Sequence, residues 1–173
     1  MKARFLLCLA LLSALLALPA AAQIGPVASP TGPVMAGPYL VVDAATGETL
    51  VQRDPGAAWY PASLTKLMTM YIVFEEMKAG RLQPGDPVVM SKHALSVDYA
   101  GFIGGGTITV DTALTALVVR SLNDVAVALG EKVSGSEAAF AQRMNDTARR
   151  LGMTATHYVH AHGLPDSSQV TTA

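Results

Sequence analysis

The sequence is almost without cysteine. Its single thiol, Cys8, lies in an apolar run near the N-terminus, so no intrachain disulfide and no thiolate zinc site can form. Charge is also sparse, because Asp, Glu, Lys and Arg make up 14% of the 173 residues and the formal net charge is -1. A chain with so few cations argues against nucleic acid as a partner. The 51% of hydrophobic residues exclude a disordered tail and favour a folded core.

The N-terminus has the features of an export signal. Two basic residues precede an apolar run at residues 5–18, and a small-residue site at residues 20–22 follows it. The run is shorter than the roughly 20 apolar residues that a membrane-spanning helix needs. We therefore predict a signal peptide at residues 1–22, cleaved after about Ala22. The mature protein is expected in the periplasm or cell envelope, with no membrane anchor in this chain.

The mature chain is predicted to form one domain. Residues 23–37 are rich in proline and glycine, which predicts a flexible N-terminus, and residues 38–173 have a length that suits a single core. Two β-prone runs, Tyr39–Asp43 and Glu48–Gln52, are separated by an Ala-Ala-Thr-Gly turn and predict a hairpin. A hairpin alone is marginally stable, so these strands are expected to need partners.

Helical patterns fill most of the remaining domain. Apolar residues recur at helical spacing after Ser63, and again in three later segments that glycine or polar residues interrupt. The predicted helices lie at about residues 63–80, 110–120, 124–133 and 136–151. The last residues, 163–173, show no such pattern and are predicted to be unstructured. A hairpin followed by a block of helices indicates an α+β fold.

The first candidate site is a Ser-Leu-Thr-Lys sequence at residues 63–66. On a helix, positions i and i+3 share a face, so the amine of Lys66 can approach the hydroxyl of Ser63. A hydroxyl becomes an effective nucleophile when a neighbouring base takes its proton, and the N-terminus of a helix favours a developing oxyanion. This geometry suits acyl transfer. The alternative interpretation is a helix-capping serine beside a surface lysine.

The second candidate site is a Ser-Leu-Asn sequence at residues 121–123, where the helical pattern breaks. The hydroxyl of Ser121 can pass a proton to a leaving amine, and the amide of Asn123 can hold a lysine and a substrate by hydrogen bonds. The alternative interpretation is that either residue only caps the following helix.

These residues carry a resemblance to a known family. The segment Pro-Ala-Ser-Leu-Thr-Lys-Leu-Met-Thr at residues 61–69 resembles the nucleophile segment of the serine D-Ala-D-Ala carboxypeptidases, the low-molecular-mass penicillin-binding proteins. Residues 121–124 resemble the second motif of that family, and His-Gly-Leu at residues 162–164 continues the similarity. The resemblance extends from about residue 38 to residue 173. It implies the α+β fold of penicillin-binding proteins and β-lactamases, a helical block packed on an antiparallel sheet.

The resemblance also implies a mechanism that uses neither metal nor other cofactor. Ser63 would attack the carbonyl between the last two D-alanines of a peptidoglycan stem peptide, and an acyl-enzyme would form as D-Ala leaves. Lys66 would act as the base, Ser121 would protonate the departing amine, and Asn123 would orient the lysine and the substrate. β-Lactam antibiotics would acylate the same serine. A lysine with its ordinary pKa of about 10.4 is charged at neutral pH, so this role requires its pKa to be lowered.

Two features depart from the family pattern. Leu122 stands where the family usually has glycine, which predicts a stiffer and bulkier loop. The third family motif, Lys-Thr-Gly, does not occur in this sequence. The resemblance implies that this motif lies on a strand bordering the site, where it contacts the substrate and supplies part of the oxyanion hole. We therefore expect a truncated member that lacks the C-terminal strands of the sheet and has weak activity by itself.

Two other functions remain open from the sequence. A class A β-lactamase shares the Ser-x-x-Lys nucleophile, but its second motif usually carries Asp in the middle. A non-catalytic peptidoglycan-binding remnant would keep the nucleophile helix without turnover. A zinc site at His157, His160 and His162 is disfavoured, because no His-Glu-x-x-His or thiolate spacing accompanies these residues.

Overall fold

The computed structural model describes residues 37–97 and 106–173. The predicted signal peptide at residues 1–22 lies outside these residues, as does nearly all of the proline- and glycine-rich segment at 23–37. Among the described residues, no helix combines the length and the apolar character needed to cross a bilayer.

The described residues form four strands, five α-helices and one short 3-10 turn. Each strand pairs antiparallel with one other, β1 with β2 and β3 with β4. In chain order the elements are β1 (Tyr39–Val42), β2 (Thr49–Arg53), α1 (Thr65–Lys78), β3 (Pro87–Met90), α2 (Lys92–Val97), β4 (Gly106–Thr109), α3 (Val110–Arg120), α4 (Asn123–Ser134) and α5 (Glu137–Arg150). The predicted hairpin and the four long helices are confirmed. The sequence analysis did not find β3, α2 and β4, because runs of four to six residues are too short to show a period.

The β1–β2 hairpin is closed by a side chain as well as by glycine. One carboxylate oxygen of Asp43 accepts from the backbone N–H groups of Ala45 and Thr46, at 2.9 and 2.8 Å. Gly47 follows with a φ of 76°, which suits a residue without a Cβ. The strand residues themselves are exposed, apolar ones included.

Helix α4 lies at the centre of the core. All seven residues from Asp124 to Gly130 are buried, and α1, α2, α3, α5 and β3 pack around them. Small side chains allow this close approach. At Gly130, a Cβ atom would lie 2.9 Å from the ring of Phe140 on α5, so a larger residue would force the helices apart.

The prediction of an unstructured end at residues 163–173 is wrong. Val170 pairs with His157 and Thr171 pairs with Trp59 in isolated β-bridges. Gln169 is 2% exposed, and its amide donates to Thr65 at 2.9 Å. These partners are distant in sequence, so a local pattern could not reveal them.

An ion cluster joins the end of α1 to α5. Glu76 is 7% exposed, and its two carboxylate oxygens accept from the guanidinium of Arg81 at 2.7 Å each. Arg143 on α5 also donates to this carboxylate. The Arg81 guanidinium, together with the Arg143 contact, lowers the pKa of Glu76 from 4.5 to about 2.

We predict that Glu76→Gln lowers the free energy of unfolding by about 2 kcal/mol at pH 7, because hydrogen bonds to an ionised partner are lost. The depressed pKa means that this stabilisation is present above pH 4.5 and is lost as the pH falls from 4.5 towards 2. Urea unfolding of the wild type and of Glu76→Gln, at pH 7 and again between pH 4.5 and 2, should show that the difference in unfolding free energy shrinks as the pH falls. A difference that stays constant across this range would contradict the assignment.

Glu75→Gln is the matched control for this prediction. Glu75 lies next to Glu76 on α1 and pairs with Arg150 at 2.8 Å, but its side chain is 30% exposed and that of Arg150 is 53% exposed. Solvent screens such a pair, so its loss should cost well under half as much as the loss of the Glu76 carboxylate.

Candidate active site

Lys66 is the centre of the candidate site. Its side chain is 3% exposed, and its Nζ donates to three oxygen atoms. The acceptors are Oγ of Ser63 at 3.3 Å, Oδ1 of Asn123 at 2.7 Å and the backbone oxygen of His162 at 2.7 Å. An ammonium group carries three N–H donors, so it can donate to each of these oxygens. They come from the turn before α1, the start of α4 and the loop after α5.

Ser63 lies in a 3-10 turn, Ala62–Leu64, that leads directly into α1. The α-helix therefore begins at Thr65, two residues later than the sequence predicted. Leu64 and Thr65 both have right-handed helical dihedrals, so the turn leads into the helix, and the predicted approach of Lys66 to Ser63 is retained. The serine itself is exposed, whereas the lysine behind it is buried.

Backbone strain is concentrated beside this site. Among the described residues, three non-glycine residues have positive φ, and two of them are Ala62 (46°) and Ser121 (55°). Ala62 directly precedes the predicted motif at residues 63–66, and Ser121 is the first residue of the motif at residues 121–123. The left-handed conformation costs a non-glycine residue on the order of 1–3 kcal/mol, so the surrounding structure must hold it in place.

The break between α3 and α4 delivers Asn123 to the lysine. Ser121 ends α3 in the left-handed conformation, Leu122 is extended, and α4 begins with Asn123. Leu122 is 7% exposed and packs in the hydrophobic core, with a φ of −65° that any residue adopts. Leucine in place of the expected glycine therefore anchors the junction. Ser121 lies on the surface two residues before Asn123.

The sequence analysis missed the backbone oxygen of His162 as a ligand of Lys66. A carbonyl group occurs at every residue and leaves no signature in a sequence. The His-Gly-Leu segment at residues 162–164 was noted only as part of the family resemblance, which was the one available signal. The same loop is held by Thr69, whose hydroxyl donates to the backbone oxygen of Ala161 at 2.7 Å.

The imidazole rings of His160 and His162 stack with a centroid distance of 3.8 Å. Burial lowers the pKa of His162 to about 4, and the neighbouring His160 adds to this shift, so the ring is neutral at neutral pH. Nδ1 of His157, the third candidate zinc ligand, instead contacts the backbone oxygen of Ser168 at 2.8 Å.

Gly163 brings the loop at His162 against the turn that contains Ser63. Its φ is 94°, and a Cβ atom there would lie 1.9 Å from the backbone oxygen of Ala62. An open cavity of about 320 Å³ lies at this contact, and Tyr60, Pro61 and Leu164 contribute apolar walls. Space for a small ligand therefore adjoins the residue that precedes Ser63.

An exposed serine at the start of a helix, hydrogen-bonded to a buried lysine, is an arrangement that suits acyl transfer. The comparison with known proteins gives the family. The peptidase S11 family, D-alanyl-D-alanine carboxypeptidase, matches residues 26–173. The chain belongs to this family, as the sequence resemblance predicted.

Individual relatives agree with this assignment. D-alanyl-D-alanine carboxypeptidase DacD of Escherichia coli is 33% identical over 154 residues, which cover 84% of this chain and 40% of the relative. The crystal structure of DacD from Francisella tularensis superposes with a TM-score of 0.74 at 36% identity, covering 79% of this chain and 33% of that one. Penicillin-binding protein D2 of Listeria monocytogenes, in its cefotaxime-bound form, gives a TM-score of 0.71 at 28% identity. The match covers 83% of this chain and 60% of that chain.

These solved structures confirm the predicted fold class, the α+β fold of penicillin-binding proteins. The described residues supply helices and short antiparallel sheets of that fold. The chain spans about 40% of the length of the Escherichia coli relative.

We predict that Gly163→Ala destabilises the protein by about 2 kcal/mol more than Gly152→Ala does. Both glycines have positive φ, 94° and 80°, so both variants carry the backbone strain of a left-handed alanine. At Gly152 nothing lies within 4 Å of an added Cβ, whereas at Gly163 the added atom overlaps Ala62. Urea unfolding of both variants measures the difference, and equal losses would show that the contact with Ala62 is not tight.

Proposed function

We propose that this protein is a serine-type D-Ala-D-Ala carboxypeptidase that acts on peptidoglycan stem peptides. The observation that carries the proposal is the position of the Lys66 Nζ atom, 3.3 Å from the hydroxyl oxygen of Ser63 and 2.7 Å from Oδ1 of Asn123. Membership of the carboxypeptidase family supplies the substrate class.

The contacts of Lys66 suit the role of general base. When the amine is neutral it keeps two N–H donors and gains one lone pair. The oxygens of Asn123 and His162, both at 2.7 Å, can accept the two hydrogens. A lone pair directed towards the hydroxyl of Ser63, 3.3 Å away, would take its proton.

The proposed reaction proceeds through an acyl-enzyme. Oγ of Ser63 attacks the carbonyl carbon of the D-Ala-D-Ala peptide bond while Lys66 takes the hydroxyl proton. The C–N bond then breaks as Ser121 transfers its proton to the nitrogen of the departing D-Ala and recovers one from Lys66. Water attacks the remaining ester, its oxygen stays on the released peptide, and one of its protons returns to Oγ of Ser63. Asn123 holds Lys66 in position throughout.

The partners and location of the protein follow from this function. Peptidoglycan is assembled outside the cytoplasmic membrane, so the predicted signal peptide at residues 1–22 agrees with a protein of the periplasm or cell envelope.

β-Lactams present a strained amide to the same serine. The relative from Listeria monocytogenes was solved in complex with cefotaxime, which supports β-lactams as covalent inhibitors of this protein as well.

The proposal is tested by the intact mass of the purified chain before and after incubation with benzylpenicillin. We expect one adduct of the mass of penicillin, no adduct with Ser63→Ala, and an adduct formed at least ~100-fold more slowly with Lys66→Gln, because the general base is lost. Lys132→Gln, which removes a lysine on α4 outside the site, should react as the wild type does.

Circular dichroism confirms that each variant is folded before its reaction is compared. No adduct on the folded wild-type chain, or an adduct that persists with Ser63→Ala, would contradict the proposal. Release of D-Ala from a pentapeptide, assayed in parallel, separates a carboxypeptidase from a remnant that only binds peptidoglycan. We expect this release to be slow, since the sequence contains no Lys-Thr-Gly motif to complete the oxyanion hole.

A further inference from the structure

A carboxylate outside the proposed catalytic set reaches the loop that holds Lys66. Glu137 is the first residue of α5, and its side chain is 12% exposed. Oε1 accepts from the backbone N–H of Ala161 at 3.2 Å, and Oε2 lies 2.7 Å from Nε2 of His93 on α2. This one side chain therefore connects α5, α2 and the loop at residues 160–164.

The backbone group that Glu137 contacts is adjacent to the acceptor of Lys66. The oxygen of Ala161 accepts from Thr69 at 2.7 Å, and the oxygen of the next residue, His162, accepts from Lys66 at 2.7 Å. Thr69 and Glu137 thus hold Ala161 through its carbonyl and its N–H group. With both groups fixed, the following carbonyl has little freedom to turn away from the lysine.

The ring of His162 also faces the carboxylate of Glu137. Nδ1 of His162 accepts from the N–H of Leu164 at 3.1 Å, so the neutral ring carries its proton on Nε2. That nitrogen faces Oε1 of Glu137 at 3.6 Å. Around the carboxylate, the structure therefore places the titratable rings of His93 and His162, with His160 stacked on the latter ring.

A helix N-terminus alone does not account for this arrangement. A carboxylate in the first turn of a helix is favoured by the helix dipole even when it points into solvent. The side chain of Glu137 instead turns inward, and both of its oxygens contact other segments of the chain. The contact to Ala161 spans 24 positions in the sequence.

We propose that Glu137 is a positioning residue for Lys66: it fixes the Ala161–His162 backbone and so keeps the lysine amine aimed at Ser63. Its effect on reaction rate rests on the proposed function. Its effect on the environment of Lys66 does not, which allows the two to be tested separately.

Two variants separate the reach of the side chain from its charge. Glu137→Gln keeps an oxygen at the same distance from the backbone, so it can still accept from Ala161. Glu137→Asp keeps the charge and suits a helix N-terminus, but it is shorter by one methylene and withdraws the carboxylate from Ala161. Glu75→Gln, which breaks the α1–α5 ion pair with Arg150, is the control for a general loss of stability.

The first measurement is the rate of acylation by benzylpenicillin, followed by intact mass over a series of concentrations. Misplacement of a catalytic group by a fraction of an ångström lowers the chemical rate, so we expect Glu137→Asp to lower the limiting acylation rate by about tenfold. The concentration for half-maximal rate should change little. Glu137→Gln should retain most of the wild-type rate, and Glu75→Gln should retain all of it.

The second measurement is the labelling of lysines by acetic anhydride, read at Lys66 and at Lys132 by peptide mass spectrometry. Buried Lys66 should react slowly in the wild type and several-fold faster in Glu137→Asp, with Lys132 unchanged. This readout needs no enzymatic activity. Failure of wild-type acylation would overturn the proposed function, whereas the labelling result would still decide the positioning role.

Two results would overturn the role of Glu137. One is a folded Glu137→Asp variant whose labelling of Lys66 matches that of the wild type. The other is a Glu137→Gln variant that is altered as strongly as Glu137→Asp, which would assign the effect to charge rather than to the contact with Ala161.

Discussion

The structure of this domain depends on how a buried lysine is satisfied. Lys66 is 3% exposed, and a charged amine removed from water is costly unless its donors are matched. The matching oxygens belong to Ser63, Asn123 and His162, which are up to 99 positions apart in the printed sequence. Burial of the lysine therefore brings together the turn before α1, the start of α4 and the loop after α5. Assembly of the site thus depends on the packing of the helical block.

The helix at the centre of the core makes this meeting possible. Helix α4 is buried from Asp124 to Gly130, and the lack of a side chain at Gly130 lets α5 approach closely. Leu122 anchors the start of α4 in the core, which fixes where Asn123 points. On the other side of the lysine, Gly163 lets the loop touch Ala62. Packing against apolar neighbours thus sets the positions of the polar atoms at the site.

Local pattern predicted the parts of this arrangement that lie within one element. The helix that carries Lys66 and its approach to Ser63 follow from a spacing of three residues. Asn123 was found because it forms part of a motif at a helix break. The carbonyl of His162 and the buried amide of Gln169 were not found, because their partners lie far away in the sequence. Strands β3 and β4 were missed because each is only four residues long, too short to show a period, and is stabilised by the other.

Placing one acceptor of the lysine on a loop would ordinarily make the site imprecise, because loops move more than helices do. Here the loop takes its rigidity from the helices on either side. Thr69 on α1 and Glu137 on α5 hold Ala161 through its oxygen and its N–H group. Gln169 accepts from the N–H groups of Val159 and His160 at 3.0 and 3.1 Å and is tied to the start of α1. Side chains that hold the loop therefore help to set the geometry at Lys66, and we expect substitutions in the first turn of α5 to act on the lysine through the backbone of this loop.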